Sequence, residues 1–145
     1  MPTPHFLETL LDRPIAFHRV FFDLTQSVKA ALLLSQALYW SRRTKDETGW
    51  FYKSREEWFA ETGLFRYEQE SARGILRQLD VWEEKREGTP ARLFYRVNFD
   101  NLYLKLVQLH EEARRETTNK MAENQPTRRR KTSHLSYYRD YSRDY

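Results

Sequence analysis

The segment from Val28 to about Thr44 constrains this chain more than any other. Val28, Ala31, Leu32, Leu34, Ala37, Leu38 and Tyr39, with Leu33 and Trp40, leave only Lys29, Gln36 and a few serines polar. Ser27 stands where an N-cap is needed, with a hydroxyl suited to accept from a first-turn amide. A helix apolar around most of its circumference has to be enclosed on several sides, which predicts a central core element. At 145 residues there is room for one such core and not for two of ordinary size. That core is modest, because hydrophobic residues make up 39% of the chain and charged residues 32%. Rings offset the deficit: 4 Trp, 9 Tyr and 9 Phe each bury far more area than an aliphatic side chain.

Local signals place the other elements around this helix. Thr3 and Pro4 predict a short helix through Leu11, with Thr3 as cap and Pro4 at the first position. Ile15 to Leu24 reads as a strand, with Ile15, Phe17, Arg19, Phe21 and Asp23 on one side and Ala16, His18, Val20, Phe22 and Leu24 on the other. After a polar turn ending at Gly49, Trp50-Phe51-Tyr52 has strong strand preference. Ser54 and Glu57 have the spacing of a capping box, and Gly63 stops the helix they start. A further helix spans roughly Phe65 to Leu79. The runs Val81 to Arg86 and Arg92 to Val97, around Gly88-Thr89-Pro90, predict a hairpin. Asp100 caps a final helix of about Asn101 to Arg115. The expected fold is therefore α+β: a winged helix-turn-helix with an extra N-terminal helix and strand, a C-terminal helix and then a basic tail. The domain is expected to span 1–118 and the tail 119–145, the latter flexible unless bound.

The helix from Phe65 to Leu79 carries the chemistry. Phe65, Ala72, Ile75, Leu76 and Leu79 gather on one side of its wheel. Arg66, Glu70, Arg73 and Arg77 fall within about 60° of one another on the other side, flanked by Tyr67, Ser71, Gly74 and Gln78. In a winged helix this element enters the major groove, where the planar fork of arginine bonds guanine or clamps phosphate. Arg66, Tyr67, Ser71, Arg73 and Arg77 are thus candidate DNA contacts. Lys85, Arg86 and Arg92 join them from the hairpin, although Glu83, Glu84 and Glu87 oppose these cations. The plainer alternative is a solvated face held together by pairs of Glu70 with its neighbouring arginines.

Net charge is +4, yet Met1 to Thr118 holds 18 Lys/Arg against 18 Asp/Glu, so the excess lies entirely in the tail. There Arg128, Arg129, Arg130 and Lys131 form a phosphate-seeking run, and Tyr137, Tyr138 and Arg139 are suited to stack on bases or to dock on protein. The absence of cysteine excludes disulfides, zinc fingers and thiol nucleophiles together. No phosphate-binding loop or metalloprotease or deaminase motif occurs, and His5, His18, His110 and His134 are scattered. No catalysis and no cofactor are expected. With no signal-peptide layout and no membrane-length apolar run, the expected address is the cytoplasm, or the nucleoid in a bacterial host.

The run Val28 to Trp40, with Gly49 to Tyr52, Trp58, Thr62-Gly63-Leu64 and the stretch from Leu76 to Trp82, resembles winged-helix modules carried by phages and plasmids. Among such modules it resembles the N-terminal domains of replisome-organiser and replication-initiator proteins. The resemblance covers about Ile15 to Asn98 and rests on hydrophobic and turn signatures. It implies double-stranded DNA binding through the third helix and wing, often with oligomerisation, so that a homodimer is compatible with it. The chain departs from that group in having a short basic tail where a large second domain usually follows. Two functions follow as expectations. One is a non-enzymatic DNA-binding module of a mobile element, acting in replication or transcriptional control. The other is a protein-interaction factor that inhibits a host nuclease or CRISPR-type complex, or serves as an accessory subunit of a nucleoprotein machine.

Overall fold

The computed structural model describes residues 3–123. Among them are six helices and three strands: α1 (Pro4–Leu10), α2 (Arg19–Thr25), α3 (Val28–Ser41), β1 (Phe51–Tyr52), α4 (Arg55–Thr62), α5 (Arg66–Gln78), β2 (Trp82–Glu87), β3 (Arg92–Val97) and α6 (Phe99–Glu123). The strands form one antiparallel sheet in the order β1-β3-β2. The protein is an α+β chain that divides into two compact units after Asn98. Helix α6 begins at Phe99, so Asp100 lies in its first turn and not at its cap, and it runs past Arg115 and residue 118 to Glu123. None of the helices described is long and apolar enough to cross a membrane.

Capping chemistry starts α1, α3 and α4 where the sequence predicts. Thr3 accepts from the Phe6 amide, Ser27 from Ala30, and Ser54 from Glu57. The Glu57 carboxylate returns a bond to the Ser54 amide at 3.1 Å, which completes the capping box. Gly63 ends α4 with φ 76°, a left-handed conformation that an L side chain adopts only with strain.

Helix α3 is the core, with Ala30, Ala31, Leu33, Leu34 and Ala37 fully enclosed. It packs on α2, α4, α5 and β3. Against it stands a cluster of rings drawn from four elements: Phe51 of β1, Trp58 of α4, Trp82 of β2 and Tyr95 of β3. Trp58 and Tyr95 meet edge to face at 5.6 Å, and Tyr95 and Trp82 lie 5.4 Å apart. The rings close the space between helices and sheet that aliphatic side chains of this number would leave open.

The strand expected from Ile15 to Leu24 does not form. Residues 13–18 are irregular, and α2 begins after His18, whose amide donates to the buried Ser35 hydroxyl at 3.0 Å. Arg19 and Asp23 pair at 2.6 Å across one turn, and Gln26 closes the helix in the left-handed region. The β-favouring run of Val20, Phe21 and Phe22 is overridden because a helix of this length lies along α3 and buries Phe21 there. Burial in α2 still alternates, with Phe21, Asp23 and Thr25 inside, which is why its pattern reads as extended.

An unforeseen ion pair crosses the interior. Lys53 is buried, and its ammonium bonds one oxygen of Glu61. The other oxygen accepts from Gln36 Nε2 at 2.5 Å and Trp40 Nε1 at 2.7 Å, while the ammonium sits 3.8 Å from the Trp40 ring centre. Burial works to raise the Glu61 pKa. The donors Lys53, Gln36 and Trp40 and the lysine charge outweigh it and hold the carboxyl below its ordinary value.

Trp58→Ala should destabilise the protein by about 3–5 kcal/mol in urea unfolding, because the cavity it leaves is walled by other rings. The Glu61 carboxylate contributes stability in full above the ordinary glutamate range. That contribution is lost as pH falls through its depressed folded pKa, so Glu61→Gln should flatten the acid limb of the stability–pH curve. Lys53→Met alone should cost about 3 kcal/mol by stranding a part-buried carboxylate, and the double replacement less than the sum of the two.

Candidate nucleic-acid interface

Helix α5 presents its apolar side, Ala72 and Leu76, to the core, so its charged side turns away from α3. Phe65, its N-cap, has no side chain able to accept an amide. The Glu68 carboxylate serves instead, taking the Phe65 amide at 2.9 Å while Lys29 of α3 pairs with it at 2.5 Å. Gln69, buried, donates to the carbonyls of Arg55 and Leu64 and so ties the start of α4 to α5.

The four charged residues on the α5 face have different fates. Among the described residues Arg66 pairs with Glu70, at 3.2 Å, and both are exposed. Arg73 turns to the hairpin, where its guanidinium grips Glu84 of β2 with two nitrogens. Arg77 donates to the same carboxylate at 2.7 Å, and Trp82 Nε1 adds a fourth bond at 3.0 Å. Burial pushes the Glu84 pKa up, but the Arg73 and Trp82 donors and the charges of Arg73 and Arg77 more than offset it, holding the carboxyl below its usual range. Arg73 is therefore mostly covered, at 15% side-chain exposure, whereas Arg77 keeps 48%. The outward face expected of three arginines is retained by Arg66 and Arg77, while Arg73 latches α5 to the sheet.

Strand alternation sorts the hairpin residues. Glu84 and Arg86 lie on the side facing α5, opposite Tyr95 and Leu93. Lys85, Arg92 and Arg96 lie on the other side of the sheet among Trp50 and Tyr52: Lys85 is 4.5 Å and Arg96 4.7 Å from the Trp50 ring, and Arg92 is 5.1 Å from that of Tyr52. Lys85 also pairs with Glu87, and Arg96 with Glu83. Of the hairpin cations expected at the site, only Arg86 thus joins the α5 arginines; Lys85 and Arg92 belong to a second basic and aromatic surface.

On the α5 side a depression of about 300 Å³ is lined by Arg55, Glu70, Arg73, Arg77, Arg86 and Leu93. Arg55 escaped the sequence reading, since a lone arginine at the first position of α4 carries no signal until the Gly63 turn folds α4 beside α5. Four guanidiniums against Glu70, with Glu84 behind two of them, leave a positive, planar-forked surface suited to phosphate oxygens. Tyr67 and Ser71 are exposed on the flanks of this face. A Cβ built on Gly74 would meet only the far end of Arg77, at 3.9 Å, so the fold itself does not demand glycine there. Among the described residues no group of His, Cys, Asp or Glu could hold a metal ion. The tail candidates Arg128, Arg129, Arg130, Lys131, Tyr137, Tyr138 and Arg139 lie outside the described residues. No protein-family model, characterised protein or solved structure matches the chain.

Glu84→Gln should release the charge of Arg73 and Arg77 into the depression. The variant is expected to elute from heparin at higher salt than the parent while unfolding at lower urea concentration, the second effect reporting the lost latch.

Proposed function

We propose that the first unit is a winged-helix module that binds double-stranded DNA without catalysing a reaction, in the replication or transcriptional control of a mobile genetic element. The order α3, β1, α4, α5, β2, β3 and the pairing of β1 with β3 support that fold. The observation that carries the function is the four-arginine depression between α5, the start of α4 and the α5-facing side of the hairpin. A duplex with its backbone over Arg55, Arg77 and Arg86 brings Arg66 and Ser71 of α5 toward base edges. Gly74, which costs about 1 kcal/mol against Ala in a helix interior, leaves room for a close approach on the same element. The run Arg128 to Lys131 adds phosphate-seeking charge outside the module.

The occupation of Arg73 and Arg77 by Glu84 favours a second reading, in which the same mixed surface docks on a protein of a host or mobile-element complex. Fluorescence anisotropy separates the two. Arg77→Glu with Arg86→Glu should weaken binding of the full chain to random duplex at least about tenfold, and should lower the slope of log K against log salt by about 2, one phosphate contact for each arginine. Unchanged affinity and slope would overturn the DNA reading; stoichiometric capture of one protein with no DNA retained would establish the second.

A further inference from the structure

Three large rings stand in the open on α4 and at the start of α5. Phe59 of α4 is 45% exposed, Phe65 at the start of α5 56%, and Tyr67 70%. They form a ladder: Phe59 and Phe65 are 5.3 Å apart, and Phe65 and Tyr67 are 6.4 Å apart with planes only 5° from parallel. Both separations are those of rings in offset or tilted contact, and the exposures show that much of each ring remains uncovered. The helix does not require the ring at Phe65, because its start is served by the Glu68 carboxylate and the N-cap side chain makes no bond. Exposed aromatic surface of this extent marks a binding face.

We propose that Phe59, Phe65 and Tyr67 are a stacking platform for unpaired nucleobases, so that the protein grips a single strand where it leaves a duplex. This inference rests on the DNA-binding reading above and adds a second, single-stranded ligand to it. The charges flanking the rings select that occupant over an apolar protein segment. Arg66 lies between Phe65 and Tyr67 in sequence and is exposed, and Arg55 is one turn from Phe59 on α4. Arg55 also lines the arginine depression, so the ring ladder and the phosphate surface adjoin through α4. Flat open rings between guanidiniums fit the alternation of base and phosphate along a strand, and stacking on them accepts any base.

The test uses the full chain and three fluorescent probes: a blunt duplex, the same duplex bearing a single-stranded thymidine arm, and the arm alone. The armed duplex should bind about tenfold tighter than the blunt one. Phe59→Ala with Phe65→Ala should abolish that advantage and leave blunt-duplex affinity in place, while Phe65→Trp should preserve it. Circular dichroism checks that the double variant folds; if it does not, 5-iodouracil placed in the arm decides, with cross-linking of the parent protein at Phe59, Phe65 or Tyr67 expected and cross-linking elsewhere overturning the platform. If the parent binds the blunt duplex with no preference for the arm, the platform fails and the duplex reading stands. Binding of no probe removes both. If the double variant keeps the arm preference, or changes only self-association measured by light scattering, the rings serve another purpose and the proposal falls.

Discussion

The enclosure of α3 is the constraint from which the rest of the first unit follows. Ala30, Ala31 and Ala37 keep its surface low enough for neighbours to come close, and Leu33 and Leu34 supply the area they bury. Helix α2 lies along it, α4 and α5 pack on it, and β3 closes against it. Because α5 spends Ala72 and Leu76 on this contact, its arginines are directed to the hairpin and to solvent. The orientation of the charged side is thus a consequence of apolar packing and not of attraction between charges.

Two carboxylates then show what a multiply bonded acid does in two settings. Glu61 gathers Lys53, Gln36 and Trp40 in the interior, joining α4, α3 and the segment after β1. Glu84 gathers Arg73, Arg77 and Trp82 at the edge of the depression, joining α5 to β2. In both, burial alone would favour the neutral acid, and donors reverse the balance. Glu61 acts wholly in the fold. Glu84 also sets how much positive charge α5 shows to a ligand, since Arg73 is committed to it and Arg77 only shared.

Much of the fold was legible because its signals are local. Ser27, Ser54, Glu57 and Gly63 act within one turn of themselves, and the Gly88-Thr89-Pro90 turn sits between two runs that pair in register. The segment from Ile15 to Leu24 misled because its helical signal, the pair Arg19 and Asp23, is weak beside a row of Val and Phe whose strand preference holds only if a sheet edge receives them. The candidate site was legible in residue type and less so in grouping. Period-two alternation was available to separate Lys85 from Arg86, but which face of the hairpin meets α5 was not. Arg55 and Lys53 had no pattern about them, and their roles come from elements distant in sequence.

By itself, then, the sequence determined an enclosed helix, the caps and turns that divide the chain around it, and an arginine-bearing helix beside a hairpin. Those features depend on interactions a few residues long, in which side-chain chemistry and periodicity suffice. Only the tertiary structure decided that Arg73 is a latch, that Arg55 and Arg86 share a depression with Arg77, and that Lys85 and Arg92 belong to the opposite side of the sheet. Such outcomes depend on which surfaces are brought within a few ångströms of one another, and that is set by the packing of the whole core.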